Sequence, residues 1–192
     1  MNIAILTFDG FNELDSLIAL GILNRVKRAG WNVRLACPAP EVTSMNGVTV
    51  RAQTTLEDAA NADAVIIGSG MKTRDVAADP ALMARIRLDP ARQLIAAQCS
   101  GTLLLAKLGL LGAVPACTDL TTKPWVIEAG VEVLNQPFFA QGNVATAGGC
   151  LASSYLAAWI IARSEGVEAA RAAIHYVAPA GEKDDYVDRT MA

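Results

Sequence analysis

Cys99 is the residue whose surroundings point most directly to chemistry. It stands in the run Leu94-Ile95-Ala96-Ala97-Gln98-Cys99-Ser100-Gly101-Thr102, where an apolar, strand-like stretch gives way at once to a helical one. That is the pattern of a nucleophile elbow, with cysteine in place of serine. Gly101 permits the close backbone approach that such a turn needs. At a helix N-terminus, unpaired N–H groups and the helix dipole favour an anion. The Cys99 thiol is therefore expected to be acidified from about 8.5 to roughly 5–7, and its thiolate to be the nucleophile.

Two further segments carry groups that such a nucleophile would use. Gly68-Ser69-Gly70 follows the apolar run Val65-Ile66-Ile67. Its backbone N–H groups, with that of Ser100, are candidates for holding an oxyanion, although glycines also mark ordinary turns. Near the N-terminus, Glu13 and Asp15 open a helical segment. Either carboxylate could face the cysteine, and either could simply complement the helix dipole. Cys37, Cys117 and Cys150 read as small buried hydrophobes. The sole histidine, His175, reads as structural or surface-lying. With no Cys-x-x-Cys pair, no zinc site or disulfide framework is expected.

The elements that must position these groups alternate along the chain. Strands are expected over 2–7, 31–37, 47–52 (a hairpin or edge strand), 64–67, 94–97, 131–133 and 144–146. Helices are expected over 12–27, closed by Gly30, and over 80–88, 100–108, 151–163 and 167–176. Apolar strands alternating with helices imply a mostly parallel sheet covered on both faces. With no repeat, linker or low-complexity tract, residues 1–192 read as one α/β domain. Ligands of such sheets bind beyond the carboxyl ends of the strands. That rule selects 8–15, 68–70 and 98–101, the segments that hold the candidate residues.

Composition narrows the function classes. Of 192 residues, 53% are hydrophobic and 18% charged, which suits a globular core. The net charge of −3 comes without any Lys/Arg cluster, so neither nucleic acid nor a membrane surface is an expected partner. The apolar stretch 155–162 is far shorter than a membrane span, and the N-terminus reads as a first strand rather than a leader. Free thiols fit a reducing cytoplasm.

Taken together, the three strand ends resemble the DJ-1/PfpI superfamily, over roughly residues 2–179. Within it, the sequence is most similar to the isonitrile hydratase group and to the amidotransferase-like domain of AraC-type regulators. The segment 8–15 is similar to that group's opening, which places the family's facing carboxylate at Asp15. Gly68-Ser69-Gly70 stands where the family has Pro-Gly-Gly, and Cys99-Ser100-Gly101 where it has Cys-Thr-Gly. The helix ending 106–111, Gly142-Asn143, Thr146 and Gly148-Gly149 also match the family pattern. The resemblance implies a flavodoxin-like three-layer sandwich of the class I glutamine amidotransferase-like kind, and a homodimer.

The departures shape the functional expectation. Positions where many members carry histidine hold Ser100 and Asp119 here, and His175 lacks the following Pro and Glu of amidotransferases. A Cys-His protease or glutaminase is therefore not expected. Asp119 is a candidate for orienting a water or a substrate N–H. With Ala192 as the last residue, a whole DNA-binding regulator is not expected either. The resemblance implies a cysteine-dependent small-molecule enzyme, foremost an isonitrile hydratase (a lyase). Its catalytic residues would be Cys99, Asp15 and Ser100, with Ser69, Gly70 and Asp119 at the oxyanion and substrate, and no metal or organic cofactor. The alternative is a redox or stress sensor with an oxidisable cysteine. Another cysteine-dependent activity, of hydrolase or glyoxalase type, and a binding domain with a vestigial site complete the readings. Exposed apolar candidates are Trp125 and Phe138-Phe139, and the pocket-shaping loops are 71–76 and 118–125.

Overall fold

The computed structural model describes all residues, Met1–Ala192. Seven strands form one sheet: β1 (Asn2–Leu6), β2 (Asn32–Cys37), β5 (Thr54–Thr55), β6 (Ala64–Ile67), β7 (Leu94–Gln98), β8 (Phe138–Gln141) and β9 (Val144–Ala147). Their order is β5-β2-β1-β6-β7-β9-β8. Every pairing is parallel except that of β8 with β9 at one edge. β3 (Glu41–Thr43) and β4 (Thr49–Arg51) form a separate antiparallel hairpin.

The strands read as apolar runs because both faces are buried. Ile3, Ile5, Ala64 and Ile66 face a core closed by α1 (Glu13–Leu23), α6 (Ser153–Glu165), α7 (Val167–Val177) and α8 (Lys183–Met191). Their neighbours Ala4, Leu6, Val65 and Ile67 face a second core under α2 (Thr73–Ala78), α4 (Gly101–Lys107) and α5 (Lys123–Glu128). This period-two division between two helical layers is the expected three-layer flavodoxin-like sandwich. The remaining helix, α3 (Pro80–Met83), begins at a proline and is capped by Asp79.

Several boundaries differ from the sequence expectation. The first helix stops at Leu23 rather than reaching residue 27, and Asn24 is its C-cap. Residues 131–133 form no strand, only a bridge between Ala116 and Val133. The helix expected over 80–88 is a single turn, and α6 starts two residues late because Cys150–Ala152 forms a 3₁₀ turn. Short elements the pattern did not show are β3, β5, β8, α2, α5, α8 and a 3₁₀ helix at Glu57–Asn61. No helix is long and apolar enough to cross a membrane.

Candidate active site

The site is built where β1, β6, β7 and β9 end. Cys99 directly follows β7 and is the one non-glycine residue with positive φ, at 46°. Left-handed backbone costs an L-residue about 1–2 kcal/mol, and strain of this kind concentrates at functional turns. The turn is held from outside: Cys99 N–H donates to Ala147 O at 2.8 Å and Thr118 Oγ1 donates to Cys99 O at 2.8 Å. A Cβ at position 101 would lie 2.4 Å from Ile67 O, so only glycine lets α4 start this close to β6. At Gly148 a Cβ would meet Thr118 O at 2.3 Å.

The carboxylate facing Cys99 is Asp15, and Glu13 is excluded by its own contacts. Asn12 caps α1, accepting from Leu14 N–H at 3.1 Å. Glu13 turns to the β3–β4 hairpin, where the Ser44 hydroxyl and Asn46 Nδ2 donate to it and hold its carboxyl below the usual range. Asp15 points inward and is fully buried. The Ser69 hydroxyl donates to its Oδ2, while Oδ1 has no N–H or O–H donor and only the thiols of Cys99 and Cys150 close by. A carboxylate oxygen of Asp15 and the sulfurs of Cys99 and Cys150 all lie within 4.8 Å of one another. Three such donors could span a thiophilic cation, one fewer than a structural zinc site uses.

The direction of the Cys99 shift corrects the sequence expectation. Burial pushes the thiol up, and the facing Asp15 carboxylate pushes it further. Asp15 is itself raised by burial, against the hydrogen bond from Ser69. The N-terminus of a seven-residue helix does not offset removal from water beside a like charge. Two groups each reluctant to ionise share a small volume, so the pair holds on to a proton. Thiolate forms there chiefly when that proton sits on Asp15.

The oxyanion candidates differ in what their N–H groups already do. Gly70 N–H is already used, donating to Ser100 Oγ at 3.1 Å, and Ser100 Oγ also meets Thr73 Oγ1 at 2.7 Å. The Ser69 and Ser100 N–H groups donate to no acceptor within the chain. Gly68 is explained as well. Its N–H donates to Leu6 O at 2.9 Å, and a Cβ there would lie 2.7 Å from that same oxygen. A proline at this position would lose the bond and collide with the strand end.

Asp15 lies beneath the floor of a cleft of about 350 Å³, whose lining includes Ser69, Gly70, Cys99, Ser100, Asp119 and Cys150. Apart from Glu13, the candidate residues lie together at this cleft. Asp119, however, uses Oδ1 to accept from the N–H groups of Thr121 and Thr122, both at 2.9 Å, and so shapes its own loop. Met45 from the hairpin and Trp125 complete the walls, with the Arg74 guanidinium 4.5 Å from the Trp125 ring centroid. His175 is exposed on α7, away from the cleft. Cys37 and Cys117 are buried, and burial raises each thiol to about 11.

Cys150 is the residue sequence reasoning missed. Read as a buried hydrophobe, it is half-buried, lines the cleft and accepts a hydrogen bond from Asn12 Nδ2 at 3.2 Å. It follows Gly148-Gly149 after β9, the fourth strand to end at this edge. The strand-end rule would have found it had β9 been included.

The comparisons agree with this architecture. The Pseudomonas syringae ThiJ/PfpI family protein superposes with a TM-score of 0.80 at 18% identity, covering 99% of this chain and 88% of its own. Drosophila melanogaster DJ-1beta gives 0.79 at 21% identity, covering 92% and 96%. Schizosaccharomyces pombe DJ-1 gives 0.77 at 17%, covering 93% and 100%. At these identities the likeness establishes the fold alone. No curated protein matches the sequence. The family model described as "DJ-1/PfpI family" matches residues 1–163, a span that includes the Cys99 turn, Asp15 and Cys150, and the chain belongs to the DJ-1/PfpI family.

Proposed function

We propose that this protein is a cysteine-dependent small-molecule enzyme, a hydratase of isonitrile type. The observation that carries the reading is Cys99, in the lining of a cleft and held in left-handed backbone, with the fully buried carboxylate of Asp15 just beneath it. A terminal isonitrile carbon is small and electrophilic. Cys99 attacks it as its proton passes to Asp15, and Asp15 delivers that proton to the same carbon, leaving a thioimidate. Asp15 then takes a proton from water as the water adds. Asp15 passes that proton to nitrogen, and the adduct then collapses with cleavage of the C–S bond, its hydroxyl proton returning to sulfur as the N-substituted formamide leaves. The Ser69 and Ser100 N–H groups, unused within the chain, hold the developing charge. Ser100 Oγ braces Gly70 and Thr73, a positioning role. The whole of residues 1–192 acts as one unit on a small molecule, without nucleic acid or membrane, in a reducing cytoplasm. By family analogy it does so as a homodimer.

A second reading is favoured by Cys150. Two cleft-lining cysteines beside a carboxylate, one of them part-exposed, also suit reversible oxidation. Screening small isonitriles for formamide release by wild type and Cys99→Ala separates the two. Saturable turnover lost in the variant supports the hydratase, and peroxide-dependent modification of Cys99 without turnover supports the sensor.

A further inference from the structure

We propose that Cys99 and Cys150 form a reversible intramolecular disulfide, with Cys150 resolving an oxidised Cys99. The inference rests on the redox reading of the site and not on hydration.

Three observations converge. The two sulfurs lie within 4.8 Å of each other and of the buried Asp15 carboxylate, whose Oδ1 has no N–H or O–H donor. Both sulfurs also accept side-chain amide N–H groups, Cys150 from Asn12 at 3.2 Å and Cys99 from Gln98 at 3.4 Å. Such donors stabilise whichever sulfur carries negative charge. Finally, the sulfurs sit on adjacent strand ends already joined by the Cys99 N–H to Ala147 O bond. Cys150 opens a short, half-exposed 3₁₀ turn after Gly149, rather than lying in a packed element. This turn is the part of the site free to move as the sulfurs approach the S–S bond length of about 2.05 Å. Cys37 and Cys117, buried elsewhere, have no comparable neighbour.

The chemistry balances with a hydroperoxide as oxidant. Cys99 gives its proton to Asp15, its sulfur attacks the hydrogen-bearing peroxide oxygen, and the O–O bond breaks as the departing oxygen takes that proton from Asp15. Cys99 becomes a sulfenic acid, and the other oxygen leaves as an alcohol, or as water from hydrogen peroxide. Cys150 gives its proton to Asp15 and attacks the Cys99 sulfur. The S–O bond breaks, and hydroxide takes the proton from Asp15 to leave as a second water. Two thiols are oxidised to one disulfide and one peroxide bond is reduced. The disulfide removes the nucleophile until an external thiol restores it by exchange.

The test uses the full chain, reduced and then exposed to a small excess of hydrogen peroxide. Free thiols counted after denaturation should fall from four to two, peptide mapping should show Cys99 joined to Cys150, and dithiothreitol should restore all four. In Cys150→Ser, and in Cys150→Ala as a second variant checked by circular dichroism, Cys99 should instead accumulate as sulfinic acid. Wild type that carries sulfenic or sulfinic Cys99 while Cys150 is recovered as a free thiol would overturn the inference and leave the redox reading standing. Wild type that loses no thiol, at peroxide levels that oxidise free cysteine, would overturn both.

Discussion

Asp15→Asn should make the protein more stable while removing its chemistry. Asp15 is fully buried, its Oδ1 has no N–H or O–H donor, and its carboxyl is raised by burial. Asparagine is isosteric, can keep the bond from Ser69 through its carbonyl, and turns an amide toward the two sulfurs. An unsatisfied buried polar group costs about 1–3 kcal/mol. Relief of about 2 kcal/mol in a domain of this size raises Tm by roughly 4–8 °C. The pH dependence has a definite sign. Because Asp15 is raised above its unfolded value of about 3.9, its contribution is fully present below that pH. It is lost as pH rises through the higher folded value. Thermal unfolding by near-UV circular dichroism should therefore show the variant's lead over wild type smallest near pH 4 and widening as the pH is raised toward 8. A variant melting below wild type at pH 8, or a gap independent of pH, would refute the reasoning.

Further expectations follow from the same geometry. At fixed pH, Cys99 alkylation should be faster in Asp15→Asn, because the carboxylate that raises the thiol is gone; mass spectrometry at several pH values reads this directly. Cys99→Gly should abolish turnover yet raise stability by about 1 kcal/mol, since glycine accepts the left-handed backbone without strain. Gly101→Ala should cost about 3 kcal/mol in urea unfolding, because its Cβ would meet Ile67 O at 2.4 Å. Trp125→Ala should raise KM by about tenfold with a smaller change in kcat, as a wall residue stacked under Arg74.

The sheet was legible because each strand of its parallel core is a short apolar run between turn residues. The strand-end rule selects 8–15, 68–70 and 98–101, and the family resemblance singles out Asp15 within the first of these. What escaped detection was set by tertiary contacts. β5 has two residues and β8 is an edge strand, too short or too exposed for a clear period. The choice of Asp15 over Glu13 depends on a hairpin some 30 residues away, whose Ser44 and Asn46 claim Glu13. The shift of Cys99 was misjudged because sequence shows the helix start but neither the depth of burial nor the charge opposite. Cys150 looked ordinary because nothing local marks it; its role comes from β9 lying beside β7.

The most direct test of a Cys99 nucleophile working with Asp15 is formation of product from a small alkyl isonitrile, followed by the formyl proton of the formamide in NMR. Wild type should produce formamide with saturation, Cys99→Ala none above the blank, and Asp15→Asn at least about 100-fold less than wild type, as for loss of a general acid–base. Formamide produced equally by Cys99→Ala, or by none of the proteins across the isonitriles tried, would contradict the account.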